Sequence, residues 1–108
     1  MTHKLSLISK GNGRWLIHGD LTFAGITKKI IDAPPFLRQG KENIVLDLAQ
    51  VTNTDSAGLA LIIEWIKQTR AQRLRLHLKN IPDQLLNLAK LTGLDKAPYF
   101  SLELQKKN

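Results

Sequence analysis

Leu46-Asp47-Leu48-Ala49-Gln50-Val51-Thr52-Asn53-Thr54-Asp55-Ser56-Ala57-Gly58-Leu59-Ala60-Leu61 is the stretch on which the reading of this chain turns. Its apolar opening belongs to Asn43–Leu48, a near-continuous apolar run typical of a central strand covered at least partly on both faces. A polar loop, Thr52 to Ser56, follows. From Ala57 to about Arg70 the composition is helix-forming and free of proline. The start of such a helix exposes backbone N–H groups and the positive end of the helix dipole, so it receives an anion or a carboxylate. Asp55 or Ser56 can cap these donors. Gly58 permits close approach of another backbone or tight packing on the sheet.

Upstream, Lys4–Ser9 alternates at period two and reads as a strand. Gly11-Asn12-Gly13 signals a hairpin into a second strand, Arg14–Gly19. A helix is expected from about Phe23 to Asp32, capped by Asp20 or Thr22 and broken by Pro34 and Pro35. Downstream, Leu74, Leu76 and Leu78 alternate with Arg75, His77 and Lys79, a half-buried strand with a basic outer face. Pro82 and Asp83 open a helix running to Leu91, and Gly93 stops it. Tyr99–Leu104 reads as a short last strand. The order β-β-α-β-α-β-α-β implies an α/β fold: one domain over residues 1–108, with a mixed, mostly parallel sheet of four to five strands and about three helices.

The helix after the central strand carries two apolar groupings. With about 100° per residue, Leu59, Ile62, Ile63 and Ile66 fall on one side and should face the sheet. Ala57, Leu61, Trp65 and Gln68 fall on the other, near Glu64. Two readings of that second side stand together. It is a broad buried stripe with Trp65 along a neighbouring loop, or it is a partner-binding face that begins at Ser56.

Composition narrows the chemistry. The 108 residues suffice for one core, and no cysteine is present to form a disulfide, a thiolate metal site or a thiol nucleophile. The longest run of apolar residues and glycine, Ala57–Ile63, is far shorter than the roughly 20 residues that span a bilayer. Met1–Gly13 has no secretory apolar region, so a cytoplasmic location is expected. His3, His18 and His77 have no metal-ligand neighbours at useful spacing, and Gly11-Asn12-Gly13 is not a phosphate loop. Neither a metal nor a cofactor is expected, and nothing assembles a nucleophile with a base, so the chain reads as non-enzymatic. Its net charge of +7 leaves acidic proteins, anionic membranes and nucleic acids as partner classes. The row Arg70, Arg73, Arg75, His77, Lys79 is the best case for nucleic acid, but it lacks interleaved aromatic residues for stacking.

The order of elements, with Asp55-Ser56-Ala57-Gly58-Leu59 between central strand and helix, resembles a STAS domain over nearly the whole chain. That family includes anti-sigma factor antagonists, cytoplasmic tails of anion transporters, and MlaB-like subunits of phospholipid ABC transporters. In the antagonists a hydroxyl residue directly before the glycine is phosphorylated; here that place is Ala57. The MlaB-like pattern resembles Asp-Thr-Ala-Gly-Leu-Ala, and Ser56 takes the place of its threonine, followed by Ala57-Gly58-Leu59-Ala60. The resemblance therefore implies an interaction module that binds, stabilises or regulates the cytoplasmic ATPase of an Mla-type ABC transporter. Such a transporter maintains outer-membrane lipid asymmetry, and the chain would sit at the inner membrane through its partner. The implied contact comprises Asp55, Ser56, Ala57, Leu61, Trp65 and Gln68, and on this reading Trp65→Ala weakens binding and leaves the fold intact. The alternatives are an anti-sigma factor antagonist that binds a serine kinase, and a basic nucleic-acid-binding module.

Overall fold

Asn12 and Gly13 both have positive φ, 56° and 78°, the geometry of the two-residue hairpin turn whose twist matches its strands. They join β1 (Ser6–Gly11) antiparallel to β2 (Arg14–Leu21). The computed structural model describes residues 3–93. β3 (Asn43–Thr54) lies parallel to β2, and β4 (Arg75–Lys79) parallel to β3, so the sheet order is β1-β2-β3-β4. The helices are α1 (Lys28–Asp32), α2 (Ser56–Ala71) and α3 (Asp83–Thr92), with a 3₁₀ turn at Pro35–Arg38. The chain is thus a single α/β domain with a mixed, mostly parallel sheet, as its periodicity predicts. The expected strand at Tyr99–Leu104 lies outside the described residues.

One face of the sheet builds the core. Trp15, Ile17 and Leu21 of β2, Ile44, Leu46 and Leu48 of β3, and Leu76 and Leu78 of β4 are all buried. Leu59, Ile62 and Ile66 of α2 pack into the same cluster, as the wheel requires. Ile63 lies only partly in it. α1 and α3 flank α2, so the described helices share one side of the sheet.

Several boundaries differ from expectation: β1 is Ser6–Gly11 rather than Lys4–Ser9 and β2 runs on to Leu21, and three further differences lie at β3, α1 and α3. β3 continues to Thr54, so Thr52, Asn53 and Thr54 are strand and not loop. Its register against β2 shifts twice, between Leu16 and His18 and between Gly19 and Leu21. Each irregularity breaks the period-two pattern by which a strand is recognised. Phe23 to Thr27 are not helical; α1 starts at Lys28 and its cap is Thr27, whose side chain accepts from Ile30 N–H. Thr22 serves the preceding turn instead, where Gly25 N–H donates to Thr22 Oγ1, and Asp20 is engaged by His3 and Asn53. Finally, Pro82 is the N-cap of α3 rather than its first residue, while Gly93 ends the helix in the left-handed conformation, as expected.

Asp20 is buried at the end of β2. Its carboxylate accepts from His3 backbone N–H at 3.0 Å and from Asn53 Nδ2 at 3.1 Å. The His3 amide first, then Asn53, hold its pKa below the ordinary 3.8. A carboxylate more acidic in the folded chain stabilises it above the unfolded pKa, and that contribution disappears as pH falls through the folded value. The urea midpoint is therefore expected to drop as pH is lowered below about 4. In Asp20→Asn this acid-dependent fall should be shallower, with a lower midpoint at neutral pH. Equal pH profiles for the two proteins would contradict the assignment.

Candidate functional site

The site is the junction where β3 enters α2. Asp55 is the N-cap: its Oδ1 accepts from Ala57 N–H at 2.9 Å and Gly58 N–H at 3.1 Å. This satisfies two of the donors that a helix start leaves open. Its Oδ2 accepts from Phe23 N–H at 3.2 Å, and its own N–H donates to Leu21 carbonyl. One side chain thus fixes the start of α2 and the loop after β2 relative to each other. Gly58 explains why the two come so close: a Cβ there would collide with Leu21 carbonyl oxygen and press on the Leu21 side chain. The glycine is a matter of space, because α2 rests its first turn on the end of β2.

Ser56 is the first residue of α2 and is exposed, beside the half-buried Ala57. Next to them is a shallow apolar cleft of about 250 Å³, lined by Phe23, Ile26, Ile31, Ala57, Ala60 and Leu61. Phe23 is 82% exposed, an unusual state for a ring beside an apolar groove. The sequence reading missed Phe23, Ile26, Ile31 and Ala60. The helix expected from Phe23 to Asp32 absorbs Phe23, Ile26 and Ile31; the signal for Phe23 is an aromatic residue between Thr22 and Gly25, a turn-forming context.

Of the six site residues expected from sequence, Asp55, Ser56 and Ala57 come together at this junction. Leu61 is 4% exposed and forms the floor of the cleft. Trp65 and Gln68 do not form an exposed patch, which corrects that expectation. Trp65 has no exposed surface. Its indole N–H donates to Ile30 carbonyl at 3.1 Å, and its ring meets Phe36 edge-on at 5.3 Å between centroids. Gln68 Nε2 donates to Ile31 carbonyl at 2.9 Å and to Glu64.

The reason lies in the two prolines. In a continuing helix the carbonyls of Ile30 and Ile31 would accept from residues four further on. Those residues are Pro34 and Pro35, which have no N–H. Trp65 and Gln68, three apart on α2, supply the missing donors. This second side of α2 is the clamp that holds α1, and α1 in turn supplies Ile31 to the cleft wall.

Among the described residues no group of three His, Cys, Asp or Glu side chains is placed to hold a metal. No described helix is long and apolar enough to cross a membrane. What the junction offers is a hydroxyl and an apolar cleft, a combination suited to receiving a protein surface.

A family model described as "Mlab, STAS domain" matches residues 16–105. The chain belongs to the STAS domain family. No curated protein matches it. Among solved structures, the unphosphorylated anti-sigma factor antagonist SpoIIAA aligns with a TM-score of 0.58 at 17% identity, over 81% of this chain and 82% of that one. A sulfate transporter family protein from Wolinella succinogenes aligns with a TM-score of 0.60 at 19% identity, over 85% of this chain and 75% of that one. A murine Solute Carrier 26 family anion transporter in the inward-facing state aligns with a TM-score of 0.57 at 15% identity, over 88% of this chain and 18% of that one. At these identities the likeness is one of fold.

Proposed function

We propose that this STAS domain is an MlaB-like subunit that docks on the cytoplasmic ATPase of a phospholipid ABC transporter, and that it stabilises or regulates that ATPase at the inner membrane. The observation that carries the reading is the α2 junction. Ser56 stands exposed at the helix start with an apolar cleft beside it. Asp55 and Gly58 lock the junction in place. Ala57, directly before the glycine, offers no hydroxyl for a phosphate switch. The docking residues are Asp55, Ser56, Ala57 and Leu61 with Phe23 and Ala60. Trp65 and Gln68 position the cleft wall through α1 and do not touch the partner.

The test is an affinity pull-down of the native chain from cytosol and solubilised membranes, with identification of what is retained. An ABC ATPase recovered with its permease supports the reading. A small serine kinase recovered instead moves the domain to the sigma-factor branch, where Ala57 leaves binding without phospho-control.

A further inference from the structure

The face of the sheet opposite the helices carries a second surface. On it lie Ile8 of β1, Arg14 and Leu16 of β2, Val45 and Asp47 of β3, and Arg75, His77 and Lys79 of β4, as the pairing register dictates. Ile8 faces Leu16; Arg14 adjoins Val45, which adjoins His77; Leu16 adjoins Asp47, which adjoins Lys79. A concavity of about 350 Å³ opens there between Lys10 and Arg14 on one flank and Lys79 on the other, over Leu16, Val45 and Asp47. Parallel ladders such as β2-β3-β4 are almost always covered on both faces. Here the described helices cover one.

Three features define what fits. The centre is apolar: Ile8 is 43% exposed, and Leu16 and Val45 are half-buried. The rim is cationic: Lys10, Arg14, Arg75 and Lys79 are exposed on three different strands. Asp47 is the one carboxylate in the lining, against Lys10, Arg14 and Lys79, and its Oδ1 accepts from Ala49 N–H at 2.9 Å and Asn80 Nδ2 at 2.8 Å. Cations spread around the edge of an open face, and not converging on one buried point, complement a broad anionic surface rather than a single small anion. The aromatic residue in the lining of the concavity, Trp15, is buried in the core on the helix side of the sheet and offers no ring for stacking bases, which disfavours a nucleic acid.

We propose that this face, which the described residues leave uncovered, rests against an anionic phospholipid surface, with Lys10, Arg14, Arg75 and Lys79 among the headgroups and Ile8 toward the interface. Each Lys or Arg near an anionic leaflet strengthens attachment by about fivefold. The face lies across the sheet from the α2 junction, so lipid contact and docking leave each other free. The proposal does not depend on the identity of the docking partner.

The test is flotation of the purified chain with vesicles of equimolar phosphatidylcholine and phosphatidylglycerol, and with phosphatidylcholine alone. Binding is expected only to the anionic vesicles, and it should weaken as salt is raised. The variant Lys10→Glu/Arg14→Glu/Lys79→Glu should bind more than about tenfold more weakly. The variant Lys29→Glu/Lys67→Glu/Lys90→Glu makes the same change in net charge at exposed positions on the helices, and it should retain binding. Circular dichroism establishes that both are folded. Equal loss in the two variants, or equal binding to both vesicle types, would overturn the proposal. So would retention by poly-glutamate with no binding to either vesicle, which would give the face to an acidic protein.

Discussion

Trp65→Ala is expected to destabilise the domain by about 3–5 kcal/mol, the range for removing a buried large aromatic side chain. Trp65 is fully buried and packs edge-on against Phe36. Two losses combine in the variant. The cavity left between α1, α2 and the 3₁₀ turn forfeits the contacts of the whole indole. Ile30 carbonyl loses the donor that Pro34 cannot replace, and leaving a buried acceptor unsatisfied costs about 1–3 kcal/mol of that total. Trp65→Phe separates the two, because it keeps most of the ring and removes only the N–H. Its cost should fall near the lower figure. Chemical denaturation measures both. A Trp65→Ala protein as stable as the wild type would show that the indole is a surface feature after all, as the wheel alone allowed.

Gly58→Ala is the second large effect. One methyl group on an exposed helix normally stabilises, by roughly 1 kcal/mol relative to glycine. Here the sign should reverse. The new Cβ would meet Leu21 carbonyl oxygen and the Leu21 side chain, and neither can retreat cheaply, because Leu21 is fully buried and its carbonyl accepts from Asp55 N–H. The first turn of α2 must lift off β2, at a cost of about 1–3 kcal/mol for overpacking. The Asp55 bond to Phe23 N–H should break with it, so that Phe23 amide exchange quickens. A stability gain in Gly58→Ala would refute the close approach.

The contrast between these two residues shows what the sequence could disclose. Gly58 stands at a strand-to-helix junction, and close approach there was legible from its neighbours. So were the alternation of Leu76 and Leu78 with His77, the hairpin at Asn12-Gly13, and the sheet-facing stripe of Leu59, Ile62 and Ile66. These signals are local, with a period or a turn chemistry of their own. Trp65 carried no such signal. Its indole is held by a carbonyl 35 residues away in sequence that Pro34 leaves unpaired, and a helical wheel does not register a distant acceptor. The extent of β3 was hidden for a different reason: two register shifts put polar residues out of step with the strand period. Phe23 was drawn into a helix by its apolar character, whereas Asp55 holds its backbone in a turn. The basic row was legible only in part. Arg75, His77 and Lys79 share a face, but Arg70 lies in the last turn of α2 and Arg73 in the turn after it. Lys10 and Arg14 join that face through strand pairing, which spacing does not reveal.

The start of α2 is the proposed docking surface. The direct measurement is the affinity of the ATPase recovered in the pull-down for three purified chains: wild type, Ser56→Thr and Ser56→Arg. A positive charge in the first turn of a helix costs only about 0.3–1 kcal/mol through the dipole, so the arginine variant should remain folded, as its melting temperature would show. Threonine keeps the hydroxyl and should bind as the wild type does, while arginine should lose binding by more than about tenfold through clash and desolvation. Equal affinities for all three chains would contradict the account and place the docking surface elsewhere on the domain.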